Sequence, residues 1–283
     1  MHYARNIDIP LLIPYYNLNM TDSYKDVFWD EVYSNTPFSN WDFEEGPLLI
    51  QDSEIKNAVA HLSDADIPPQ SKQIRIQCGM NDREQRPEIF KQKNLFLLPY
   101  TNNSRIIFKG EGYLDIPELD DSSIIEFEIN PEFELEASSV GNSEMQHLDY
   151  AFAVGIVQDF VNVENLFLTI RGKKYASFDY KVMGTPMTAK GVQTEVDAGY
   201  EGESEILLFE AKNTSVTNEI IRQLFFPKRK WEEDTTKKVR TFFSQYNSDE
   251  HSISFFEYGF MDALEYTSLE LVKRGKYLLD NKK

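Results

Sequence analysis

The sequence predicts an α/β (α+β) chain, a mixed sheet flanked by helices. Three observations carry this. The C-terminal half reads as a helix, a run of strands, a second helix and further strands. Residues 204–212 (SEILLFEAK) are nearly continuously apolar in the middle, as in a central strand. Neighbouring stretches such as 175–183 (YASFDYKVM) alternate with period two.

The elements follow in order. Residues 22–33 (DSYKDVFWDEVY) put Phe28, Trp29 and Val32 on one side of a short helix. Residues 53–62 (SEIKNAVAHL) predict another, with Ser53 as its N-cap. Residues 86–94 (RPEIFKQKN) predict a third, opened by Pro87. Residues 95–110 are two apolar runs around TNNS, a β-hairpin. Helix then hairpin is the outline of a winged-helix unit, so residues 1–130 read as a mixed N-terminal recognition domain. The boundary lies between Pro117 and Asn142, where PELDDSS and ASSVGN are loop-like, and a second domain spans 131–283. Residues 143–162 predict one long helix, with Ser143 and Gln146 as a capping box. Residues 166–170, 175–183, 191–201 and 204–212 predict four strands. Residues 217–231 (TNEIIRQLFFPKRKW) predict a helix capped by Thr217 and ended or kinked near Pro227. Residues 239–247 and 252–260 predict two more strands, and 264–280 close the chain.

Composition narrows the function. The chain has 283 residues, 41% apolar and 27% charged, enough to bury a sizeable core. A formal charge of −18 excludes a generic polycation that coats nucleic acid or membrane. Charge is nonetheless uneven. Residues 71–109 carry eight basic residues against three acidic ones, and 212–240 carry eight against four. These segments supply candidate phosphate contacts at Arg86, Lys91, Arg105, Arg222, Lys228 and Arg229, weighed against a plain solvated surface. One cysteine, Cys78, excludes a disulfide framework and a multi-cysteine zinc site, and fits a reducing cytoplasm. No apolar run reaches the ~18–20 residues that span a bilayer, so no membrane partner is expected. The four histidines form no HExxH, and there is no P-loop and no GxSxG elbow.

The sharpest feature is a pair of strands charged where a sheet is usually apolar. One reads Gln193-Thr-Glu195-Val-Asp197, the next Leu207-Leu-Phe209-Glu210-Ala-Lys212. The intervening AGYEGESE supplies a turn. Paired as a hairpin, these strands bring Asp197, Glu210 and Lys212 towards one point. Three carboxylates with one ammonium at the end of a buried strand are costly unless compensated. An oxygen-only donor set favours Mg²⁺, with Mn²⁺ as a substitute, over zinc. A lysine beside such a cation orients or deprotonates a water and holds a phosphate. The pattern points to metal-dependent phosphodiester hydrolysis.

At these residues the sequence resembles the PD-(D/E)xK nuclease superfamily. Val196-Asp197 stands at the family's Pro-Asp position, and Glu210-Ala211-Lys212 is the E-x-K. The resemblance covers roughly residues 143–247 and implies a restriction-endonuclease-like αβββαβ core. It implies Asp197 and Glu210 as metal ligands with the carbonyl of Ala211, and Lys212 as the catalytic lysine. Glu144, then Asp149, is the candidate extra acid on the preceding helix, and Gln223 matches the glutamine after E-x-K. Glu195 reads as an exposed strand carboxylate. The whole chain looks like a type II restriction endonuclease. The partners this implies are double-stranded DNA, a second copy of the chain in a homodimer, and a cognate DNA methyltransferase that need not touch it. A DNA-binding protein with an inactive core and a structure-specific repair nuclease are the alternatives.

Overall fold

The computed structural model describes residues 18–129 and 143–279. The loop-like ASSVGN stretch lies outside the described residues.

The N-terminal part opens with α1 (Leu18–Asn35), which buries Phe28, Trp29 and Val32 as its periodicity predicts. β1 (Leu48–Gln51) runs directly into α2 (Asp52–Ala58). The cap of α2 is Gln51 rather than Ser53, because the Glu54 carboxylate accepts the Gln51 N–H at 2.7 Å. Two short helices follow, α3 (Ile74–Gln77) and α4 (Glu88–Gln92), the latter entered through Pro87. β2 (Leu95–Thr101) and β3 (Ser104–Lys109) form the predicted hairpin. It is a sheet member on both sides, with β3 paired to β1 and β2 bridged to the main sheet. A short strand, β4 (Tyr113–Asp115), precedes the linker.

The C-terminal part begins with α5 (Glu144–Ala153), where the Ser143 hydroxyl accepts the Gln146 N–H. The expected long helix is two helices, α5 and α6 (Ile156–Val161). Gly155 separates them with φ +92°, a left-handed value no helix interior takes. The two strands expected at 166–170 and 175–183 are one, β5 (Phe167–Val182), which passes through Gly172 at φ +81°. β6 (Thr185–Glu201) is likewise longer than predicted. β7 (Glu205–Lys212) follows as expected. The helix expected from Thr217 starts late, because Asn218–Ile220 are a strand, β8, paired with β4. Helix α7 (Arg222–Asp234) then continues through Pro227 rather than ending there. β9 (Lys238–Asn247), β10 (Ser252–Phe260) and β11 (Leu269–Leu278) complete the chain.

The result is a mixed α/β fold with one large sheet flanked by helices. Its order is β1-β3-β2-β6-β7-β9-β10-β11, with β5 also on β6. β5, β6 and β7 are antiparallel in turn, and β7 is parallel to β9 across the α7 crossover. The two faces of β7 are covered differently. Leu207, Phe209 and Ala211 pack with Leu148, Ile156 and Phe160 of α5 and α6. Leu208 lies on the opposite face, packed with Val239 and half-buried Trp231 of α7. No helix among the described residues is long and apolar enough to cross a membrane.

Candidate functional site

Alternation puts Glu210 and Lys212 on the α7 face of β7, since Leu208, two residues earlier, lies there. Glu210 is 5% exposed, a buried charge on a central strand. The Lys212 ammonium donates to Glu210 Oε1 at 2.6 Å and pairs with Glu219 Oε2 at 3.1 Å. Gln223, in the first turn of α7, donates its amide to the same Glu210 oxygen at 3.2 Å.

Asp197 reaches this point through an irregularity in β6. The β5–β6 register passes from Ile170↔Gly199 to Gly172↔Val196, so β6 holds one extra residue there. The faces slip accordingly, with Val196 packed beside Leu208 but Ala198 and Tyr200 packed with Phe209. This is a β-bulge at the candidate acid. The β6–β7 ladder stops at Ala198↔Phe209, and the Asp197 carboxylate instead accepts the Ala211 N–H at 2.9 Å.

The electrostatics follow from burial. Desolvation pushes the Glu210 carboxyl up to about 8, with the Lys212 ammonium opposing and Asp197 and Glu219 adding to the rise. Burial raises Asp197 too, against the Ala211 N–H and Lys212. Burial raises Glu219 against the same ammonium. Burial would lower Lys212, but Glu210 and Glu219 outweigh it and hold the ammonium above the ordinary lysine range. Glu144 is raised by burial, with Lys212 opposing and Asp197 and Glu195 reinforcing. Glu144 therefore shares the field of the site. Asp149 does not face it freely, because Arg171 pairs with it and donates to the Asp197 carbonyl at 3.1 Å.

Among the described residues, no three His, Cys, Asp or Glu side chains are gathered closely enough to hold a metal ion together. The chemistry of the donors still fits a hard cation. Asp197 and Glu210 are carboxylates raised chiefly by burial, with Glu195 adding to the rise at Asp197 and Asp197 and Glu219 at Glu210, and Lys212 opposes both. Mg²⁺ commonly takes only one or two protein carboxylates and keeps several waters.

The remaining candidates separate into two groups. Gln223, Arg222 and Arg105 line a cleft of about 690 Å³ between the β2–β3 hairpin and the β5–β6 ribbon, and so does Glu195. Lys228 and Arg229 are buried and spent inside the chain, Lys228 on Glu232, and Arg229 on Glu232 and Glu233. Arg86 donates to the carbonyls of Arg83 and Leu95 and lies 5.2 Å over the Tyr113 ring. Lys91 is exposed on α4. Sequence reasoning missed Glu219, which lies in the segment read as the start of a helix. A lone acid after E-x-K carries no signal until β8 is seen to fold back on Lys212.

A family model described as Domain of unknown function (DUF6997) matches residues 108–278. A second, described as Domain of unknown function (DUF6996), matches residues 26–107. No curated protein matches the chain, and no solved structure does.

Proposed function

We propose that this chain, which belongs to the DUF6997 family, is a Mg²⁺-dependent nuclease that hydrolyses phosphodiester bonds of double-stranded DNA at a specific sequence. The observation that carries this reading is the meeting of Asp197, Glu210 and Lys212 where the β6–β7 ladder opens. The order α5, antiparallel β5, β6 and β7, then α7 and parallel β9 supports a PD-(D/E)xK-type core. Asp197 and Glu210, with the Ala211 carbonyl, would hold Mg²⁺ or Mn²⁺. Bound there, the ion supplies charge stabilisation on a phosphate and lowers the pKa of a water.

The chain's own groups have distinct tasks. Lys212, which donates to Glu210 and pairs with Glu219, would act as the donor that orients the attacked phosphate or the water. Gln223 fixes the Glu210 carboxylate from the α7 side. Asp197 is fixed by Ala211 N–H, and so is held to one orientation. Two copies acting as a homodimer would cut both strands of a palindrome.

The test is incubation of plasmid and phage DNA with the full chain and Mg²⁺ or Mn²⁺, followed by the same assay with Lys212→Ala. Discrete fragments are expected, and the variant should lose at least about 10²-fold in rate. Equal cleavage by the variant would count against the reading. A second reading is a sequence-specific DNA-binding protein with an inactive core. It is favoured by the two donors, Lys212 and Gln223, that already bond the same oxygen of Glu210. Tight binding with no cleavage in either ion would select that reading.

A further inference from the structure

The cleft beside the site differs in charge from the rest of the molecule. The chain carries a formal charge of −18, yet Arg75, Arg105 and Arg222 line this cleft with Glu195 as its one carboxylate. Arg105 is committed within the chain, 3.3 Å from Asp52 and bonded to the Thr101 and Ser104 carbonyls. Arg75 bonds only the neutral Gln73 side chain, and neither Arg75 nor Arg222 has an ion pair among the described residues. A guanidinium keeps its charge at any working pH, so two that close no ion pair among the described residues, Arg222 meeting Glu219 only through space, make this lining an anion site.

The same lining adds a different chemistry. Tyr175 on β5 is 66% exposed, although most aromatic rings of this chain are buried. An exposed ring facing a basic cleft suits stacking of a nucleobase. Asn102 and Gln193, also in the lining, offer amide donors and acceptors of the kind that read base edges. The cleft ends at the candidate site, because Gln223 lines it and also donates to Glu210.

We propose that this cleft seats an unpaired stretch of a DNA strand, with its phosphates on Arg75 and Arg222 and a base against Tyr175. The inference deepens the nuclease reading and rests on it for the direction of the strand, which runs past Gln223 towards Glu210 and Lys212. Binding itself needs no catalysis, so it is tested without a divalent ion.

The experiment is fluorescence anisotropy of a short labelled single strand and its duplex with the full chain in EDTA, over a salt series. The proteins compared are wild type, Arg75→Gln/Arg222→Gln and Tyr175→Ala, each checked for an unchanged melting temperature. The double arginine variant should bind about tenfold or more weakly and lose roughly two from the slope of log affinity against log salt. Tyr175→Ala should bind about fivefold or more weakly with the slope retained. Wild-type affinity and slope in the double variant would overturn the proposal. So would binding of the duplex alone. Arginine-dependent strand binding without cleavage in Mg²⁺ removes the nuclease reading and leaves the cleft standing. Cleavage with binding that ignores both arginines removes the cleft and leaves the nuclease.

Discussion

Glu210 holds its place in the sheet against its own solvation. Its carboxyl titrates near 8 when folded, chiefly through burial, against an ordinary value of 4.5. Between those values the folded chain binds more protons than the unfolded one, so this group makes stability fall as pH rises. The Glu210→Gln variant keeps the shape and the contact with Gln223 and removes the charge. In EDTA it should gain little over wild type below about pH 4.5 and about 5 kcal/mol well above pH 8. Urea unfolding at both pH values measures this, and a variant weaker than wild type at the higher pH contradicts it. Lys212 would still keep Glu219, 3.1 Å away, so the variant does not strand a buried ammonium.

At the scale of elements, two interruptions build the site. The break at Gly155 divides α5 from α6, and Leu148 of the first and Phe160 of the second are both buried in one cluster. Gly155→Ala should cost about 1–2 kcal/mol. The cost is conformational rather than steric, because φ is +92° and an added Cβ would meet nothing closer than Phe127 at 3.5 Å. Chemical denaturation tests this, and an unchanged midpoint would show the two helices fusing without strain. The bulge at Asp197 is the second interruption. It moves the acid out of the ladder while Ala211, one strand over, keeps its N–H satisfied by the acid's own side chain.

At the scale of the molecule, the two parts share a core. Phe96, Leu98 and Phe108 of the hairpin pack in one cluster with Phe178, Tyr180, Phe225 and Tyr266. β8 is held from the N-terminal side, since Ile220 N–H donates to the Asn81 carbonyl and the Asn218 side chain accepts the Arg83 N–H. Residues 143–283 expressed alone should therefore give a compact but loosely packed state, with far-UV ellipticity kept and near-UV ellipticity lost. A sharp cooperative melt of that fragment would refute the shared core.

The sequence by itself determined most of the element types and the central strand β7, and it singled out Asp197, Glu210 and Lys212 as candidates, because period and local chemistry are local properties. Period two alone would keep Val196, Ala198 and Tyr200 on one face of the strand predicted at 191–201. Only the tertiary structure turned that face over at Asp197, brought Glu219 onto Lys212 and spent Lys228 and Arg229 on internal ion pairs. Those outcomes depend on which distant surface each strand and helix packs against, and no local pattern encodes that choice.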